Sequence, residues 1–213
     1  MVEVVDPAIA QLADAGFDLA HAFDTQAAAR EPGWELLAQA PRYGIILGNT
    51  RALWPHFVAA MRDRELAADP DPLERYTERT LAATVPGAVV YYAHRRYAGA
   101  FLPFQRLAIA TGLAARSPSP LVIHPIYGPW FALRAVIAVD GTPPVRAPIA
   151  QPCTCTAACE RALTAALAAP ESTGWRAWLA VRDACTLRAW RYGEEQAAYH
   201  GTKVWVPPEG GGP

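Results

Sequence analysis

Apolar and polar positions follow two periods along this chain, and the periods trade places repeatedly. Residues 7–22 set Ile9, Leu12, Ala13, Phe17 and Ala20 at the spacing of an amphipathic helix, with Gly16 as an early breaker. Residues 24–41 are mixed and interrupted by Pro32 and Pro41. Residues 42–49 form an apolar run that leaves into a turn, which predicts a buried strand. Thr50 is placed to cap a helix whose inward positions are Leu53, Trp54, Phe57, Val58 and Met61. Beyond a turn at 69–72, a helix is expected over 73–84, with Leu73, Tyr76, Thr77 and Leu81 inward. Residues 88–93 read as a strand, and 101–115 as a helix that starts near Pro103 and tolerates Gly112 inside it. Two β-prone runs, 121–124 and 130–139, flank Pro-Ile-Tyr-Gly-Pro and are expected to pair as a hairpin. A Pro-rich crossing loop leads to helices over 156–168 and 174–182. The tail 207–213 offers no core-forming residue and is expected to be disordered. Helices alternating with short strands predict an α/β or α+β sandwich, one domain over 1–206.

Composition narrows the partners. Of 213 residues, 52% are apolar and 18% charged, enough to bury a core. A net charge of −1 gives no electrostatic case for nucleic acid or an anionic membrane. No charge-free apolar stretch reaches membrane-spanning length, and the acidic N-terminus lacks the basic region of a secretory signal, so a cytoplasmic location is expected. Dinucleotide, P-loop and nucleophile-elbow motifs are missing.

Candidate chemistry concentrates in residues 123–137. Gly128 permits a tight turn and close approach to a ligand. Arg134 interrupts an apolar strand; it is either a structural ion pair, a side chain on an open face, or an anchor for an anion. His124 reads as a hydrogen-bonded structural residue or an axial metal ligand. Trp175, Trp178, Trp190 and Trp205 form an aromatic wall or simply core. Glu194 and Glu195 are most simply a solvated helix face. Cys153, Cys155 and Cys159 crowd into seven residues, with Cys185 further on. Their C-x-C-x3-C spacing departs from the ferredoxin pattern, so metal binding or a redox pair stays open but an iron–sulfur cluster is not expected.

The same segment carries a likeness. His124-Pro125, Tyr127-Gly128, Trp130-Phe131-Ala132 and Leu133-Arg134 resemble a motif of the cobalamin-processing cblC (MMACHC-like) family. Downstream, Trp175, Arg176, Trp178, Arg182-Asp183-Ala184, Arg191-Tyr192, Glu194-Glu195-Gln196 and Ala198-Tyr199 are similar to a second family motif. The resemblance implies a flavin-reductase-like (nitroreductase-type) α+β fold. It implies binding of cobalamin (vitamin B12) base-off and removal of its upper axial ligand, that is, decyanation or dealkylation. The electron or thiol donor would be a reduced flavin (FMN or FAD) or a thiol such as glutathione. Carried over by position, cofactor-binding residues fall on Tyr91, Leu102, Pro103, Phe104, Gln105, Val122 and Leu133, and thiol-binding arginines on Arg134 and Arg182. A homodimer and downstream B12 enzymes are the protein partners it suggests. Three departures stand out: Ile109 replaces a family histidine, the loop 116–121 is short, and Lys203 is the only cation near a third family arginine. The alternatives are a non-catalytic cobalamin chaperone, or a flavin- or Fe–S-dependent reductase related to epoxyqueuosine reductase.

Overall fold

The computed structural model describes residues 2–143, 153, 156–171 and 174–206, with backbone alone for residues 2–6 and 156. Cys155, the Pro-rich loop beyond residue 143 and the tail 207–213 lie outside the described residues. The helices are α1 (Val2–Asp14), α2 (Thr25–Ala28), α3 (Leu53–Ala60), α4 (Arg64–Ala67), α5 (Pro72–Thr84), α6 (Phe104–Ala110), α7 (Thr156–Leu167), α8 (Gly174–Asp183) and α9 (Glu194–Thr202). The strands are β1 (Leu19–Asp24), β2 (Tyr43–Asn49), β3 (Val89–Tyr92), β4 (Arg96–Tyr97), β5 (Ala100–Phe101), β6 (Ala115–Arg116), β7 (Val122–Ile123) and β8 (Ala132–Val139). A four-stranded antiparallel sheet in the order β1-β2-β8-β3 forms the centre of an α+β fold.

Both faces of that sheet are covered. Ile46, Val136 and Ala138 point into a core completed by Leu19, Phe23, Trp34, Leu102, Phe104 and Leu107. Ile45, Leu47, Ala135 and Ile137 point the other way, onto Leu12, Phe17, Phe57, Leu73, Leu81 and Tyr199. This is the alternation a pleated strand imposes. A sheet with two buried faces also explains why β2 and β8 read as continuous apolar runs.

Four expectations need correction. The helix expected over 7–22 is two elements: Gly16, at φ +92°, ends α1, and the apolar run after it pairs with β2 as strand β1. A run apolar at nearly every position suits either period, and the non-local pairing decides. Gly112, at φ +80°, does not sit inside a helix but terminates α6. The hairpin between 121–124 and 130–139 does not form. β7 pairs with β6, and β8 is instead the inner strand between β2 and β3. The intervening loop closes on itself, His124 and Gly128 exchanging backbone N–H···O bonds of 2.9 Å, with Gly128 at φ +59°. Finally, Thr50 does not cap α3, whose first-turn cap position is Ala52. The Thr50 amide and hydroxyl instead donate to Asp18, at 2.7 and 2.5 Å.

One irregularity sets up the site. Leu47 faces Ala135 while Gly48 faces Leu133, so Arg134 is an extra residue in β8, a β-bulge. Strict alternation would send Arg134 to the same face as Val136. The bulge resets the phase: Leu133 joins the α6 side, and Arg134 turns toward α5 and α9, where Glu74 and Tyr199 lie within electrostatic reach.

Candidate functional site

Two adjoining environments emerge, one apolar and one polar. The apolar wall lies on the α6 side of the sheet. Leu102 and Phe104 are buried there, and Tyr91, Val122 and Leu133 are half-buried against the same cluster. Pro103 leads into α6, and its carbonyl accepts from the Trp34 indole N–H at 3.2 Å. The Trp34 ring meets Phe104 edge-on at 5.1 Å, which fixes the start of α6. Gln105 is exposed and, with Arg106, Ile109, Arg116, Ser117 and Val122, lines a cavity of about 300 Å³ beside this wall. The fold thus brings together the seven positions expected to meet cofactor, although they come from β3, β7, β8 and the α6 region. The cavity is therefore of mixed character, its polar lining from Gln105, Arg106, Arg116 and Ser117 facing the apolar side chains of Ile109 and Val122.

His124 stands at the edge of this wall, buried and stacked on Tyr127 at 4.4 Å. Its Nδ1 accepts from the backbone N–H groups of Ile126 and Tyr127 at 3.2 and 3.3 Å. Burial, and secondarily the nearby His21, pull its pKa down to about 4. The neutral ring therefore carries its proton on Nε2, leaving no lone pair there for a metal. The structural reading of His124 is the one its geometry supports.

The polar chamber lies behind β8. Arg134 is buried, and its Nε donates to Asn49 Oδ1 at 2.6 Å. Among the described residues, no carboxylate pairs with it and its Nη2 has no hydrogen-bond partner. Burial depresses the Arg134 pKa against the opposing pull of Tyr192, Glu74 and Tyr199. Arg182, on α8, donates to the Pro129 carbonyl at 2.9 Å and lies over the Trp130 ring at 6.0 Å. Arg134 and Arg182 both act on Tyr192 and His200, so the fold brings the two expected arginines to one chamber.

Other residues there were not expected as site residues, although Trp130, Tyr192 and Gln196 stand in the motifs quoted above. Among the described residues, Trp130 Nε1, Gln196 Nε2, His200 Nε2 and Glu74 Oε2 are buried atoms without a hydrogen-bond partner, and the buried Tyr192 Oη lies within reach of the Arg182 guanidinium. Tyr192 meets Trp130 at 5.6 Å and His200 at 5.3 Å. Burial, with Arg134, Arg182 and Lys203 nearby, holds His200 well below the usual imidazole value. Burial pushes the Glu74 carboxyl up, but the hydrogen bond from Lys203, 2.9 Å from Oε1, brings it net below its ordinary range. The available signal was the four-residue spacing of Gln196 and His200, which puts two polar side chains on one face of α9, with Tyr192 just before the helix.

The remaining candidates are dispersed. Cys159 and Cys185 are buried and Cys153 is half-buried; Cys155 lies outside the described residues. Among the described residues, no three His, Cys, Asp or Glu side chains are grouped to hold a metal. The four tryptophans make no single wall. Trp190 meets Tyr127 edge-on at 4.9 Å, Trp205 packs near Trp54 and Phe57, Trp175 lies against Gly201, and Trp178 is exposed. No helix among the described residues is long and apolar enough to cross a membrane.

No family model matches the chain. Two curated proteins named cyanocobalamin reductase / alkylcobalamin dealkylase, from Bos taurus and Homo sapiens, are 34% and 35% identical to it over 121 residues. Each match spans 57% of this chain and 38% of the relative's length. A solved C. elegans B12-trafficking protein, CblC, a homologue of human MMACHC, superposes with a TM-score of 0.63 at 15% identity. That superposition covers 94% of this chain and 92% of the other.

Proposed function

We propose, from the chain's kinship with the cobalamin-processing cblC proteins, that it binds cobalamin base-off and promotes loss of the upper axial ligand. One observation carries the reading. A bulge in β8 turns Leu133 to the apolar wall and Arg134 to the polar chamber, so adjacent residues serve a macrocycle and a donor. Tyr91, Leu102, Pro103, Phe104, Gln105, Val122 and Leu133 would line the corrin face. Arg134 and Arg182 would hold a thiol such as glutathione by its carboxylates, through charge-assisted hydrogen bonds. Holding the donor against a bound corrin replaces a bimolecular encounter with a local one. A reduced flavin is the alternative donor, consistent with a flavin-reductase-like fold of the whole unit 1–206. A cytoplasmic location, a homodimer and downstream B12 enzymes complete this reading.

The test is the visible spectrum of the purified chain mixed with methyl- or cyanocobalamin. A shift of the bands toward the base-off form is expected, and its absence would sink the proposal. Gln105→Ala and Leu133→Ala should weaken corrin binding, by about 1–3 kcal/mol for the buried part of Leu133. Arg134→Lys should raise the donor KM nearly as much as Arg134→Ala, because a point charge cannot replace a fork. Corrin binding without turnover, with any thiol or reduced flavin, would make the chain a carrier.

A further inference from the structure

Helix α6 divides its side chains between two environments. Phe104, Leu107 and Ala108 are buried in the core on the sheet. Gln105, Arg106 and Ile109, related by helical spacings of three and four, border the cavity of about 300 Å³ instead. The short β6–β7 pair packs against α6 and closes the other side. Its register sets Arg116 opposite Val122, and both line the same cavity. The turn between them is pinned: the Ser117 hydroxyl oxygen lies 2.9 Å from the Leu121 carbonyl oxygen and 2.8 Å from the Oγ of the buried Ser119. Two guanidiniums from separate elements thus border one concavity, and the described residues that line it include no Asp or Glu. Among the described residues, no carboxylate pairs with Arg106. Like charges at one concavity raise each other's energy and the concave wall focuses their field, so an anion is the occupant that relieves both. A volume at the bottom of the roughly 300–1,000 Å³ range of small-molecule pockets admits a head group rather than a whole cofactor.

We propose that Arg106 and Arg116 hold a phosphate monoester in this cavity. Near neutral pH a phosphate monoester carries a charge of about −1.5 to −2, which matches two guanidiniums. Its three terminal oxygens can accept from two forks that approach from different directions. A carboxylate offers its oxygens in one plane, and a phosphodiester brings a single charge. Gln105 adds an amide donor at the rim, and Ile109, Leu121 and Val122 give the organic part of the molecule an apolar exit. Gln105 and Val122 also belong to the wall proposed for the corrin, so a molecule anchored by its phosphate lies beside the cofactor. The seat itself stands on the cavity and its charges, not on the cobalamin reading.

Calorimetric titration of the full chain with two matched pairs of probes tests the seat: FMN against riboflavin, and adenosine monophosphate against adenosine. The members of each pair differ only by the phosphate. At least one phosphorylated member should bind about tenfold or more tightly than its partner, as charge-assisted hydrogen bonds allow. Inorganic phosphate should compete with it. Arg106→Gln and Arg116→Gln should each remove most of that preference. Arg106 is exposed, so its variant should keep the wild-type melting temperature, which separates lost charge from lost fold. No preference in either pair, or a preference that survives both substitutions, would overturn the seat. Displacement of the phosphorylated probe by cobalamin but not by cobinamide, which lacks the nucleotide phosphate, would overturn it too, because the cavity would then serve the cofactor's own diester.

Discussion

At the scale of single residues, His124 shows how burial converts an ionisable group into a scaffold. Its Nδ1 accepts two backbone N–H groups and its ring stacks on Tyr127, so protonation would break a loop closure. The folded state holds its pKa near 4, below the ordinary imidazole value of 6.5. As pH falls, the unfolded chain therefore takes up the proton first. Stability fully present above pH 6.5 should be lost progressively between 6.5 and 4, on the order of 3 kcal/mol from this group. His200, displaced in the same direction, adds to the acid limb. Urea unfolding midpoints between pH 7 and 4.5 should fall accordingly, and His124→Asn should flatten that dependence. A midpoint indifferent to pH in wild type would refute the assignment.

At the scale of elements, glycines at two joints decide where the chemistry goes. Gly48 lies opposite the bulge that turns Arg134 away from α6. Gly128, at φ +59°, closes the loop before β8, and a Cβ there would come within 2.6 Å of the Leu187 carbonyl oxygen. Gly128→Ala should therefore cost about 2 kcal/mol or more, from left-handed strain plus the clash. Pro129 follows directly and accepts from Arg182, so on the proposed function the same variant should also raise the donor KM. Equilibrium denaturation and thiol-dependent kinetics check the two halves separately. Wild-type stability in this variant would show that the loop relaxes without strain.

At the scale of the molecule, a sheet covered on both faces presents an apolar wall on one side and an anchored polar chamber on the other. A ligand that binds only the folded form adds RT ln(1 + [L]/Kd), about 2.7 kcal/mol at a hundredfold excess over Kd. On the proposed function, cobalamin should raise the melting temperature by several degrees, and Leu133→Ala should reduce that shift while Tyr192→Phe leaves it intact. Equal shifts in all three proteins would separate corrin binding from the proposed wall.

Local pattern alone was enough for the strands at 43–49 and 89–92 and for the helices at 53–60, 72–84, 156–167 and 174–183, because their periods and breakers lie within the segments themselves. The resemblance to cblC motifs singled out Arg134 and Arg182, and the fold brings both within reach of Tyr192 and His200. What the sequence could not settle was non-local. Residues 19–24 become a strand only because β2 offers an edge, and 121–124 leaves β8 because a self-closed loop and two better partners take over. The bulge is invisible in the pattern, since one extra residue changes face without changing composition. Tyr192 and His200 come within electrostatic reach of Arg134 only through the packing of the C-terminal segment on the sheet, because burial, which gives a polar side chain its altered chemistry, is set by non-local contacts and not by local spacing.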